Sequence, residues 1–278
     1  MSKIAIGGSS FLNPRSNYWK SLKDISNISF LDYGNNQQIL DNKYNNNFLV
    51  WVENFDDFIS QNRKNIDLSF GKKYLQQVLL CLEVRCKKSA SPTLFIFSCR
   101  SSPNPLCQVS FIDLYLELKH WMIKELIKLS KTFKNFYFED LDSFFSDIGF
   151  NNALDMRNWY FAHCRYSNQG FEIISNLIER YTIRLSKPPH KVLVLDCDNT
   201  LWGGVIGEDG QSGIIIGGDG VGQVFVDFQK IIKKLHDEGV ILAISSKNNL
   251  DDVRNVFSEN SAMIINWDDI TSYRIDWN

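Results

Sequence analysis

The stretch Lys191–Gly210 reads KVLVLDCDNTLWGGVIGEDG. It opens on a short apolar run, Val192 to Leu195, that stops abruptly at Asp196 and Asp198, with Asn199 and Thr200 behind them. An apolar run that ends in acids predicts a buried strand whose carboxyl end meets solvent. In open α/β sheets that end is where ligands bind. Strand side chains alternate, so Asp196 and Asp198 nominally point the same way. Two like charges that close raise each other's cost of ionisation unless a cation offsets them. An oxygen-only cluster at a strand tip suits Mg²⁺, which keeps several waters and a substrate phosphate in its shell. One acid can then attack phosphorus while the other moves the proton. The competing reading of a bare Asp-x-Asp is a solvated acidic turn.

Outward from this stretch, strands alternate with helices. Lys3–Ile6, Ile28–Leu31, Phe48–Val52, Leu94–Phe97 and Phe136–Phe138 read as strands. Ser69–Lys88, Phe111–Lys131 and Phe171–Leu185 carry apolar residues at three- and four-residue steps and read as helices. Asn35–Asn47 is rich in Asn and Gln and reads as a polar loop, and Ser101-Ser102-Pro103-Asn104-Pro105 as a turn. After the acids, Val224 to Leu235 forms a helical stripe stopped by Gly239. Val240–Ser245 is the next strand, Leu250–Phe257 a short helix, and Met263–Ile265 the start of a third strand. Gly217–Gly222 fits neither G-x-G-x-x-G nor a P-loop and reads as the turn into the helix. The alternation predicts an α/β fold with two doubly wound parallel-sheet (Rossmann-like) domains, the second incomplete. The paired prolines in Ser186–His190 place the boundary between residues 1–186 and 187–278.

A chain of 278 residues exceeds the usual single-domain size. With 44% hydrophobic and 22% charged residues, it has the composition of a core-forming globular protein. A net charge of −2 does not suggest a nucleic-acid partner. The six cysteines, Cys81, Cys86, Cys99, Cys107, Cys164 and Cys197, show no CxxC spacing and no zinc-type cluster. No apolar run approaches a membrane span, and MSKIAIGGSS lacks the layout of a signal peptide. These features together predict free thiols in a reducing, cytoplasmic setting.

Asp-Cys-Asp-Asn-Thr-Leu-Trp resembles the first motif of the haloacid dehalogenase-like (HAD) hydrolases. The longer DCDNTLWGGVIGEDG is similar to the FkbH-like branch, of subfamily IIIC type. The likeness continues through Gly213–Gly222 and Ile241–Asn248 to Trp267–Asn278. It implies that Asp196 accepts a phosphoryl group. Asp198 is then the general acid/base, and both residues serve Mg²⁺, Asp198 through its backbone carbonyl. Ser246 places a hydroxyl on the phosphate, and Asn199, Thr200 and Lys247 complete the implied substrate contacts. Leu201–Ile216 corresponds to the segment that covers the substrate. The implied reaction is Mg²⁺-dependent dephosphorylation of an acyl phosphate resembling 1,3-bisphosphoglycerate, with the glyceryl group loaded onto an acyl carrier protein. Cys197 would be the acyl relay. Strand alternation points its thiol the other way, where it acts as a small hydrophobe.

Residues before the boundary resemble the SGNH-hydrolase-like domain of the same proteins. That likeness places Ser9 or Ser10 at the nucleophile position and His163 at the base. The expected Gly-Asp-Ser and Asp-x-x-His are absent, so a scaffold or a carrier-docking face is expected instead. Asn158–Tyr166 is similar to a segment near the end of that domain. Relatives continue past Trp-Asn with a phosphate-steadying lysine and an acidic strand. The open side of Val192–Leu195 therefore implies either a longer protein or a complementing polypeptide. The alternatives to the transferase are a catalytically incomplete interaction module and a plain small-metabolite phosphatase of a surface-polysaccharide pathway.

Overall fold

The computed structural model describes residues 2–10, 12, 14, 17–61, 67–99, 109–186, 188 and 190–277. The turn at 101–105, Cys107, and Lys187 and Pro189 of the expected linker lie outside the described residues. The chain divides into two compact units, Met1–Lys187 and Pro188–Asn278.

In the first unit the order is β1 (Ser2–Gly8), α1 (Lys20–Ile25), β2 (Ser26–Phe30), β3 (Phe48–Asn54), α2 (Phe55–Gln61) and α3 (Leu68–Lys88). Then come β4 (Thr93–Ser98), α4 (Val109–Thr132), β5 (Phe136–Asp140), α5 (Leu141–Ile148), α6 (Phe150–Ala153), α7 (Met156–Ala162) and α8 (Asn168–Ser186). All five strands run parallel in the order β2-β1-β3-β4-β5. Alternation sorts their side chains into two cores, as a sheet covered on both faces requires. Ile4, Val50, Leu94 and Ile96 pack with Leu22, Phe145 and Ile174 from α1, α5 and α8. Leu49, Trp51, Phe95 and Phe97 pack with Val78, Leu82, Leu118 and Met122 from α3 and α4. Gly8 has a steric reason, since a Cβ there would lie 2.3 Å from the carbonyl oxygen of Val52 on β3. The expected polar loop between β2 and β3 holds two short 3₁₀ turns, Asn36–Leu40 and Asn42–Tyr44, because Ile39 is buried against the second core.

β3 is buried along its whole length, and the acid it carries is therefore buried too. Glu53 accepts hydrogen bonds from Trp51 Nε1 at 2.9 Å and Tyr74 Oη at 2.8 Å. Burial pushes its carboxyl from 4.5 up to about 7. Its folded pKa lies above its unfolded one, so the folded state holds the proton more tightly. The contribution is fully present below pH 4.5 and is lost as pH rises through about 7. Glu53→Gln is therefore expected to flatten the fall in stability over that interval, measured as urea midpoints across pH. A wild-type midpoint that rises steadily from acid to neutral pH, and a variant that follows it, would contradict the assignment.

The second unit holds β6 (Val192–Leu195), α9 (Ile206–Gly213), α10 (Val221–Asp237), β7 (Ile241–Ser246), α11 (Leu250–Glu259) and β8 (Ile270–Ile275). Its sheet is parallel, in the order β6-β7-β8. On one face Leu195, Leu242 and Ile244 pack with Ile232 of α10 and with Val253, Val256 and Phe257 of α11. Val192, Val194 and Ile241 are exposed, and β6 is an edge strand. The third strand begins at Ile270, and Met263–Ile265 is not part of it. The buried Gln229 side chain accepts hydrogen bonds from the backbone N–H groups of Ile264 and Ile265, at 2.9 and 3.3 Å, in place of a sheet neighbour. Among the described residues no helix is long and apolar enough to cross a membrane.

Candidate active site

The apolar run Val192–Leu195 does form a strand, and Asp196 follows directly at its carboxyl end. Ser246 ends the neighbouring parallel strand and donates from Oγ to Asp196 Oδ1 at 2.5 Å. The N–H of Cys197 donates to the same oxygen at 2.7 Å. One carboxylate oxygen of Asp196 is thus fixed by two donors, while no described group donates to Oδ2. This arrangement leaves a carboxylate oriented with one oxygen free to react.

Asp198 is held differently. Its Oδ1 accepts from Trp202 Nε1 at 3.0 Å and from the N–H of Ile206 at 3.1 Å, and its Oδ2 accepts from Asn248 Nδ2 at 3.1 Å. These three donors fix the Asp198 carboxylate and tie the start of α9 to the strand tip. Trp202 is fully buried, so this tie runs into the core. Asn248 Nδ2 also lies 3.1 Å from Ser246 Oγ. A single amide therefore orients both the acid and the hydroxyl.

Asp196, Asp198, Ser245, Ser246, Lys247, Arg274 and Asp276 line a cleft of about 520 Å³. Lys247 and Arg274 bring positive charge beside the acids, and Arg274 Nε donates to Asp276 Oδ2 at 3.3 Å. Arg274 reaches the cleft because β8 aligns it with Ser245 on β7. Asn248, Arg274 and Asp276 are site residues that sequence reasoning did not single out. Their signal is tertiary, since it depends on strand order and register.

The geometry bears on three of the expected site residues. Asn199 and Thr200 do not line the cleft. Asn199 sits in the left-handed region at φ 54° and accepts from the N–H of Gly204 at 3.0 Å, shaping the loop. The N–H of Thr200 closes a turn on the carbonyl of Cys197 at 3.2 Å. The third concerns Cys197, whose thiol is fully buried in the core of the second unit. Burial pushes it up to about 12, so it is not a thiolate at neutral pH. Cys197→Ala is expected to cost about 1 kcal/mol of stability, the scale of one small buried group, and to leave phosphate release unchanged. A folded Cys197→Ala protein that still releases phosphate but no longer loads an acyl carrier protein, where the wild type does, would restore the relay.

Among the described residues no group of three or more His, Cys, Asp or Glu could hold a metal. The Asp196 carboxylate and the Asp198 backbone carbonyl would supply a hard oxygen set that fits Mg²⁺, with water filling the remaining positions, while both carboxylate oxygens of Asp198 are taken by Trp202, Ile206 and Asn248. Asn248 Oδ1 is buried without a hydrogen-bond partner, which suits a site that receives a further donor.

The first unit places Ser9 and Ser10 after β1 and Asp57 in α2, at the point where the strand order reverses. Ser9 Oγ donates to Asp57 Oδ2 at 3.0 Å, and Ser10 Oγ donates to the same oxygen. Arg165 pairs with Asp57 through Nε and with Asp56 at 2.8 Å, and its guanidinium lies 4.1 Å over the Trp159 ring. His163 instead contacts the rings of Tyr33 and Trp159, with centroids at 6.0 and 5.1 Å. A serine–histidine pair is therefore not assembled, and both hydroxyls are spent on a buried ion cluster.

No family model matches this chain, and no curated protein matches it. Among solved structures, one is the N-terminal part of BF1531 from Bacteroides fragilis, described as containing a phosphatase domain and complexed with Mg. The two share 23% identity and a TM-score of 0.77, over 100% of this chain and 77% of that one. A member of the lipolytic G-D-S-L family from Veillonella parvula gives a TM-score of 0.40 at 14% identity, over 65% of this chain and 98% of that one; this likeness is too slight to carry an argument. The first of these likenesses shows the fold alone: this chain folds as the Bacteroides protein does.

Proposed function

We propose that the second unit is a Mg²⁺-dependent phosphohydrolase of the HAD type, acting on a small phosphorylated metabolite. The observation that carries this reading is Asp196, with one oxygen clamped by Ser246 and Cys197 and the other open in a cleft that Lys247 shares. Asp196 Oδ2 forms a bond to phosphorus as the bond from phosphorus to the leaving oxygen breaks. Water then attacks the aspartyl phosphate and releases inorganic phosphate, regenerating the carboxylate. Asp198 carries the proton, first to the leaving oxygen and then from the attacking water. Ser246 and Lys247 hold the phosphoryl oxygens. Mg²⁺, held by Asp196 and Asp198, would neutralise charge on the phosphate. The Bacteroides structure contains Mg, which supports this choice of metal.

An acyl phosphate is the substrate class that the FkbH-like resemblance favours, and loading of an acyl carrier protein is the finer form of the proposal. The buried Cys197 speaks against a thiol relay, so hydrolysis is the better-supported reaction. The first unit, with Ser9 and Ser10 bound to Asp57, is proposed as a non-catalytic, SGNH-like scaffold. The open edge of β6 supports pairing with a further strand, supplied by a longer chain or by a second polypeptide.

The direct test measures phosphate release from acetyl phosphate with and without Mg²⁺. Metal-dependent release supports the enzyme; no release at any metal concentration would favour a non-catalytic interaction module. With one carboxylate, from Asp196, and one backbone carbonyl, from Asp198, as ligands, the chain is expected to bind Mg²⁺ weakly, with water completing the octahedron. Calorimetric titration checks this, and tight binding would point to ligands beyond Asp196 and Asp198.

A further inference from the structure

α10 carries two apolar faces, where a surface helix ordinarily carries one. Val226 and Ile232 are buried on its inner side, with Ile232 in the core. On the outer side lie Val221, Val224, Phe228, Ile231 and Leu235, between 37% and 66% exposed. Their spacing alternates three and four residues, the seam of a helix that packs along another helix.

We infer that the outer seam of α10 pairs with α10 of a second copy of this chain, in antiparallel fashion about a two-fold axis. The seam is self-complementary. Stepping forward from Val224 to Phe228 on one helix matches stepping back from Leu235 to Ile231 on the other, so one register aligns both layers. The charges fit the same register. Asp227 and Lys234 flank the seam on one side, seven residues apart. In the antiparallel pairing Asp227 of each copy meets Lys234 of the other, forming two ion pairs. A parallel pairing would set these flanks against the positions of Phe225 and Ile232, which carry no charge. Asp227 now accepts from Gln223 and Lys230 of its own helix, both at 2.9 Å. These are exposed contacts worth little and easily exchanged. The two-fold contact is isologous and closed, so it stops at a dimer. With only about four turns of helix, it makes a weak, concentration-dependent one.

The test is sedimentation velocity on the full chain across a concentration series. The wild type is expected to self-associate, and Phe228→Glu to remain monomeric while keeping its circular dichroism spectrum. Asp227→Lys and Lys234→Asp should each weaken association several-fold, and the double variant D227K/K234D should restore it. A wild type that is monomeric throughout overturns the inference, whether the seam is covered by another part of the chain or by a different protein. A dimer that ignores Phe228→Glu and both charge swaps also overturns it, because it must use another face.

Discussion

Replacing Asp196 by asparagine is expected to stop phosphate release, by on the order of 10⁴- to 10⁶-fold, the scale on which loss of a nucleophile acts. The amide keeps the volume and an oxygen that can accept from Ser246 and from the N–H of Cys197, as Asp196 Oδ1 does now. It loses the anionic oxygen that the proposed mechanism sets against phosphorus. Asp196 is exposed at the strand tip, so the thermal midpoint should hardly move. The measurement pairs a phosphate-release assay with a melting curve. A folded Asp196→Asn protein with undiminished turnover would move the nucleophile elsewhere. Ser246→Ala provides a graded companion, since it removes one of the two donors on Oδ1 and should lower turnover without abolishing it.

The second large effect lies in the first unit. Arg165→Ala is expected to destabilise that unit by about 3–5 kcal/mol, the usual cost of leaving a buried charge unpaired. Asp57 is fully buried and Arg165 nearly so. Burial raises the Asp57 carboxyl, while the Arg165 guanidinium opposes that rise. The guanidinium also donates to the Asp56 carbonyl at 3.1 Å and covers the Trp159 ring, so truncation removes packing as well as charge. Chemical unfolding of the full chain reads the loss. The double variant Arg165→Met with Asp57→Asn should recover much of it, because no uncompensated charge remains. If Arg165→Ala alone unfolds at the wild-type denaturant concentration, the cluster contributes nothing to stability.

Three elements divide what is legible in the sequence from what is not. The strand ending in Asp196 could be read locally, because a run of four apolar residues stopped by acids has few other uses in an α/β chain. The helix stripe at Val224–Leu235 was legible for a similar reason, but its period could not tell which apolar residues face the core. The start of the third strand was misplaced. Met263–Ile265 is apolar and β-prone, and only the long-range bond to Gln229 takes its backbone out of the ladder.

Sequence alone determined the alternating α/β order and the acid pair at the strand tip, since each depends on residues near one another in the chain. The tertiary structure decided the roles. Parallel pairing of β6 with β7 sets Ser246 against Asp196, fifty positions away. The register of β7 with β8 brings in Arg274, and the turn after β6 sends Cys197 into the core. In the first unit, Arg165 meets Asp57 across 108 positions. Such pairings are matters of sheet order and loop closure, which carry no local periodicity.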